Sequence, residues 1–263
     1  MSEFASKIVL ITGAASGFGE ATAYAFAKKG ASLSLIDKDE ENLGKVTEQC
    51  KKAGATKVLA VVADLRAEGD IVRAMNETIE TFDRLDVLVN NAGMVQMGSV
   101  EDTPVESFDS IFHLNVKAHF HFTQLAVPHL EKTKGNVINM ASTAAEILSP
   151  IAVFYGMTKA ALTYFTKTAA LGLAEKGIRV NAVCPGACRT NILKRPGLLG
   201  PGLDEDVLFG MEEKSSILGG VLVEKQDVVD AILFLASDSA RTITGSNLCL
   251  DRGAVLAGPP AMS

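Results

Sequence analysis

The sequence predicts an α/β fold, a doubly wound sheet of seven mainly parallel strands with helices on both faces. Three observations predict it. Short β-branched runs alternate with longer stretches of helical period from Lys7 onward, the pattern of βαβ units. Glycines stand where helices should end and the next strand begins, as at Gly30 and Gly54. A chain of 263 residues, 48% hydrophobic and 21% charged, can bury one large core, so a single domain over 1–263 is expected.

The strands are expected at 7–12, 32–36, 57–63, 85–90, 136–141, 178–183 and 246–250. One irregular stretch, 184–223, is longer than an ordinary connection. Such a length marks a substrate-binding loop or a surface insertion.

Charge and apolar patterning exclude several classes of function. A net charge of -6 argues against a nucleic-acid partner, because binding to phosphate backbones draws on clustered Lys and Arg. No apolar run reaches the roughly 20 residues of a membrane span. The short apolar run after Lys7 lacks the basic lead and length of a signal peptide, so a cytoplasmic location is expected. Cys50, Cys184, Cys188 and Cys249 form no CxxC pair and read as reduced, structural thiols. The four histidines fall between His113 and His129, but His119 and His121 would face different sides of a helix. No metal site is expected.

Immediately after the first strand comes TGAASGFG, with Gly13, Gly17 and Gly19, followed by an apolar-periodic helix. Glycines here allow a tight turn and close approach of a pyrophosphate, and the unpaired amides of the helix N-terminus attract its charge. The turn residues Gly13, Ser16, Gly17, Phe18 and Gly19 are therefore dinucleotide-binding candidates in a Rossmann-like fold. Asp37 ends the second strand, 18 residues beyond Gly19. It can accept hydrogen bonds from ribose hydroxyls, or it is only part of the solvated run DKDEEN.

The spacing Gly-x-x-x-Gly-x-Gly resembles the cofactor turn of the short-chain dehydrogenase/reductase family. The resemblance continues through Asp64 and Leu65 after the third strand, which would contact adenine. Asn90-Asn91-Ala92-Gly93 follows the fourth strand, and the resemblance gives Asn91, Ala92 and Gly93 a place beside the cofactor.

Tyr155 and Lys159 lie four residues apart in YGMTK, so on a helix they share one face. An ammonium beside a phenol favours the phenolate, which lets Tyr155 exchange a proton with an alcohol or ketone. Ser142 precedes Tyr155 by 13 residues, at the end of the fifth strand, where open α/β sheets place their ligands. Its hydroxyl can hydrogen-bond a substrate oxygen. The resemblance adds Asn115, which would support a proton path to Lys159 and complete the tetrad Asn115, Ser142, Tyr155 and Lys159. It also makes Tyr155, Lys159, Pro185 and Gly186 cofactor contacts and covers residues 7 to about 253. Two departures are Ala141, where relatives often carry Ser, and Asp251-Arg252-Gly253 in place of Asp-Gly-Gly.

The expected activity is hydride transfer between a nicotinamide cofactor and a small secondary alcohol or ketone. Asp37 would repel the 2′-phosphate of NADP, and Ser16 is not the Arg or Lys of many NADP-preferring relatives, so NAD is favoured; Lys38 is the counterweight. Met94, Val95, Met97, Ile147, Leu148, Ile192, Leu193, Leu198 and Leu199 are the expected pocket walls. They favour a lipophilic, steroid- or isoprenoid-like substrate over a sugar or polyol, unless they pack on one another beneath the loop. A non-enzymatic dinucleotide sensor is the alternative from another class. Chain length and glycine spacing disfavour an epimerase or dehydratase of the extended relatives. By analogy with the family, a homo-oligomer, dimer or tetramer, is expected.

Overall fold

A computed structural model describes residues 3–189, 206, 209, 216–219 and 222–258. Its seven strands are β1 (Ile8–Thr12), β2 (Ser32–Asp37), β3 (Val58–Val62), β4 (Val87–Asn90), β5 (Asn136–Met140), β6 (Arg179–Pro185) and β7 (Asn247–Leu250). They form one sheet in the order β3-β2-β1-β4-β5-β6-β7, and every neighbouring pair is parallel. Each strand lies within two residues of its predicted bounds.

Alternation along a strand divides the core in two. Val9, Ile11, Leu33 and Leu35 face one side and pack with Phe26, Val228 and Ile232. Leu10, Ile36 and Leu88 face the other and pack with Ile71, Met75 and Phe122. The first layer is covered by α1 (Gly17–Lys28), α2 (Glu40–Ala53) and α7 (Lys225–Ala236), the second by α3 (Glu68–Phe82), α5 (Ala118–Thr133) and α6 (Val153–Leu173). Helices on both faces explain why β1 reads as an unbroken apolar run.

A short α4 (Glu106–Phe112) leads through a single π-helical turn, His113–Lys117, into α5. The chain closes with α8 (Ala254–Ala257). Before it, Arg252 takes a left-handed φ of 53°, and the Asp251 carboxylate accepts from the Gly253 and Val255 amides at 3.0 and 2.8 Å. Those bonds hold an arginine where the residue pattern of relatives calls for glycine.

The strand order reverses between β1 and β4, so their C-terminal ends open a crevice. Two adjoining clefts of about 430 and about 300 Å³ occupy it and share Gly13, Ala92, Gly93 and Val95. Among the described residues no helix is long and apolar enough to cross a membrane.

Candidate active site

The turn between β1 and α1 lines both clefts through Gly13 and the larger one also through Ser16, Gly17 and Phe18. Gly17 has φ +60°, and no protein atom lies within 4 Å of a Cβ built there. A Cβ on Gly19 would lie 2.1 Å from the Gly13 carbonyl oxygen, so only glycine lets α1 approach β1 this closely. Ser16 caps α1 without a side-chain hydrogen bond, leaving first-turn amides for an anionic ligand. Ser16 and Phe18 line the larger cleft beside Gly13 and Gly17. This open-backed turn fits a dinucleotide pyrophosphate.

Asp37 has a second task that sequence reading missed. Its carboxylate accepts from the Ala15 amide at 3.0 Å and the Asp39 amide at 3.0 Å, so it braces the glycine turn while lining the smaller cleft. Asp64, Leu65, Lys38 and Arg66 line the same cleft. The Arg66 side chain grips the Asp64 carboxylate through Nε at 3.0 and 3.1 Å. Its hydrogen bonds hold the Asp64 carboxyl at about 2, below the usual carboxylate range.

The NNAG segment fastens β4 to this turn. Thr12 Oγ1 accepts from the amides of Asn91 and Ala92, both at 3.0 Å. The Asn91 side chain donates to the carbonyls of Thr12 and Gly13 at 2.9 and 3.1 Å. Deeper in the protein, Asn90 Nδ2 donates to Thr123 Oγ1 and Asn139 Oδ1 at 3.1 and 3.0 Å. His119 contacts the Ala92 carbonyl through Nε2 at 2.8 Å, and burial pushes its pKa down to about 3. It is therefore neutral, and Nε2–H donates. Among the described residues no group of three or more His, Cys, Asp or Glu is placed to hold a metal.

Three of the four tetrad residues meet in the larger cleft: Ser142, Tyr155 and Lys159 all line it. The first turns of α6 present Tyr155 and Lys159, with Lys159 Nζ 5.5 Å from the Tyr155 ring centroid. Nζ donates to the Met140 carbonyl at the end of β5 at 2.7 Å. Burial lowers the Lys159 pKa to about 8. Ser142 Oγ accepts from the Ala144 amide at 3.2 Å and donates to the Pro185 carbonyl at 3.4 Å.

Asn115 is fully buried behind the cleft, in the π-helical turn. Its Oδ1 accepts from the Met94 amide at 2.9 Å, and its Nδ2 donates to the Met94 carbonyl at 2.9 Å and to Thr158 Oγ1 at 3.1 Å. A Cβ on Gly93 would stand 3.3 Å from Asn115 Oδ1 and 3.8 Å from Lys159 Nζ. Gly93 thus eases the approach of Asn115 to the NNAG segment.

Of the expected pocket walls, Val95, Met97 and Ile147 line the larger cleft. Met94, whose backbone amide and carbonyl are both bonded to Asn115, lines the smaller cleft instead. Leu148 is 83% exposed and outside the cleft lining. Ile192, Leu193, Leu198 and Leu199, with most of the 184–223 loop, lie outside the described residues. Pro185 and Gly186 line the cleft, as do Cys188, expected only as a structural thiol, and Phe209, which sequence reading did not single out.

Residues 13–255 match a family model described as enoyl-(acyl carrier protein) reductase. The 2-(R)-hydroxypropyl-CoM dehydrogenase of Xanthobacter autotrophicus is 36% identical over 94% of this chain and 97% of its own. The meso-2,3-butanediol dehydrogenase of Serratia marcescens is 34% identical over 95% of each chain. The crystal structure of carveol dehydrogenase from Mycobacterium avium in complex with NAD aligns with a TM-score of 0.90 at 25% identity, covering 97% of this chain and 100% of that one. This chain belongs to the short-chain dehydrogenase/reductase family and is a nicotinamide-dependent oxidoreductase.

Proposed function

We propose that the chain, as one dinucleotide-binding and catalytic domain over 1–263, transfers hydride between NAD(H) and a lipophilic secondary alcohol or ketone. The observation that carries this reading is the convergence of Ser142, Tyr155 and Lys159 on a cleft that runs from the glycine turn to apolar walls at Val95, Met97, Ile147 and Phe209.

The glycine turn, Asp37, Asp64, Leu65 and the NNAG segment would hold the dinucleotide, with Tyr155, Lys159, Pro185 and Gly186 at its reactive end. When bound, the nicotinamide supplies or accepts the hydride. Ser142 orients the substrate oxygen by hydrogen bonding. Tyr155 receives the hydroxyl proton in oxidation and returns it in reduction, and the Lys159 ammonium favours the phenolate. Asn115 holds the Met94 backbone so that the wall beginning at Val95 keeps its shape.

NAD is favoured because Asp37 stands where a 2′-phosphate would meet its charge. Lys38 and Arg66 line the same cleft, but Arg66 is occupied by Asp64. The bound NAD of the Mycobacterium avium carveol dehydrogenase supports this choice. The name of that enzyme also supports a lipophilic substrate, whereas the Serratia marcescens relative acts on butanediol; the apolar walls favour the former. A binding-only sensor has no use for Lys159, a buried ammonium that burial disfavours. The four free thiols support a cytoplasmic location.

A homo-oligomer is supported by apolar side chains left exposed on α5 and α6: Phe120, Met157, Tyr164 and Leu171. Met157, Tyr164 and Leu171 recur at sevenfold spacing and so form one stripe. A second copy of the chain is the proposed occupant, and light scattering of the purified protein would show a dimer or tetramer.

The test of function is a panel of lipophilic alcohols and ketones, with diols and sugars as controls, followed by NADH absorbance. Turnover of the lipophilic members with NAD(H) supports the reading. Turnover of polyols alone would replace the substrate class, and none with any member would favour the sensor.

A further inference from the structure

Between Tyr155 and Lys159 on α6 lies Thr158, which is fully buried. Its hydroxyl donates to the Tyr155 carbonyl at 2.7 Å and accepts from Asn115 Nδ2 at 3.1 Å. A threonine inside a helix ordinarily turns its hydroxyl to the preceding turn and slightly bends it. Here the same hydroxyl also receives a bond from another element.

The Asn115 amide has no freedom to turn away. Met94 N–H needs its oxygen and the Met94 carbonyl needs its nitrogen, so the remaining N–H has a fixed direction, and Thr158 Oγ1 lies on it. The turn carrying the proton-transfer pair is therefore tied through one hydroxyl to Asn115, and through Asn115 to the segment after NNAG.

We propose that Thr158 is a positioning residue, whose hydroxyl fixes the turn between Tyr155 and Lys159 and so sets how closely the ammonium approaches the phenol. The inference rests on the proton-transfer role of Tyr155 given above. Thr158 touches neither reacting atom and acts through the helix backbone.

The charges around this turn make Lys159 the group whose placement counts. His119 on α5 is neutral, its pKa pushed down to about 3 by burial. Cys184 on β6 is a neutral thiol pushed up to about 12 by burial, with Cys249 and Glu146 next to it. Loosening the turn weakens the attraction between Lys159 and the phenolate, so the Tyr155 phenol should ionise at higher pH.

Tyrosinate absorbance reads this without a substrate. The chain has three tyrosines, Tyr24, Tyr155 and Tyr164, and subtracting the Tyr155→Phe titration isolates Tyr155. Thr158→Val removes the hydroxyl at nearly constant shape, Thr158→Ala removes it without a second methyl beside Asn115, and Thr158→Ser restores it. The Tyr155 titration should move up by about 0.5 pH unit in Val and Ala variants and return in Ser. Turnover of the best panel substrate should fall about tenfold in the first two and recover to within about twofold in the third.

Unchanged Tyr155 titration in Thr158→Val and Thr158→Ala would overturn the proposal. So would loss of both NADH binding and a cooperative melt in those two variants, since the hydroxyl would then serve folding alone. Failure of the underlying reading looks different: Tyr155→Phe itself would turn over substrate at the wild-type rate.

Discussion

The Lys159 ammonium sits 5.5 Å from the centroid of the Tyr155 ring and is anchored by a 2.7 Å hydrogen bond to the Met140 carbonyl. That anchor comes from the end of β5, so the sheet and the helix that carries the proposed proton-transfer pair are joined at one atom. Holding a charge there opposes stability. In the unfolded chain the Lys159 pKa is near its ordinary value of 10.5, and in the fold it is lowered to about 8. Stability from this group is fully present above pH 10.5 and is lost as pH falls toward 8.

Lys159→Met should accordingly raise stability at pH 7 while abolishing turnover. The burial cost is about 3 kcal/mol, and loss of the bond to Met140 takes back roughly 1–2 kcal/mol, leaving a gain of about 1–2 kcal/mol. Urea unfolding at pH 7 and pH 10 checks this. The advantage should shrink at the higher pH, and a variant less stable than wild type at pH 7 would refute it.

Acid should expose the other buried base. His119 is held neutral, with its pKa lowered from 6.5 to about 3. Its contribution is present above pH 6.5 and lost as pH falls toward 3. His119→Gln can retain a donor toward the Ala92 carbonyl and should flatten the decline in melting temperature between pH 6.5 and 4. Parallel declines in the two proteins would contradict it.

Gly19→Ala would drive a methyl to within 2.1 Å of the Gly13 carbonyl oxygen. The turn must open, so NADH affinity should fall about tenfold or more. Gly44→Ala, on exposed α2 with nothing within 4 Å of the added carbon, should bind NADH normally. Fluorescence titration of both variants makes the comparison.

Asp37→Ser removes the charge that repels a 2′-phosphate, so the ratio of kcat/KM with NADP to that with NAD should rise about tenfold or more. Because Asp37 also holds the Ala15 amide, absolute kcat/KM with NAD should fall. An unchanged ratio would leave the carboxylate only its bracing role.

Much of this was legible in the sequence because it rests on local rules. Short β-branched apolar runs placed every strand, and the spacing of Tyr155 and Lys159 placed them on one helix face. The glycine turn was readable because Gly17 and Gly19 answer to backbone geometry alone. What escaped depends on residues distant in sequence meeting in space. Thr12 grips Asn91 from 79 residues away, and Thr158 meets Asn115 from 43 away. Met94 and Leu148 have the apolar character of a pocket wall, but one is turned toward the smaller cleft and the other toward solvent.

The central claim is that the Tyr155 hydroxyl moves the proton while the glycine turn, Asp37 and the NNAG segment carry most of the cofactor binding, and Tyr155→Phe tests it most directly. NADH binding by fluorescence and turnover of the best panel ketone by NADH absorbance should be measured on the same preparation. The account predicts NADH affinity within about twofold of wild type and turnover reduced by about 100-fold or more. Turnover near the wild-type rate with intact NADH binding would contradict it.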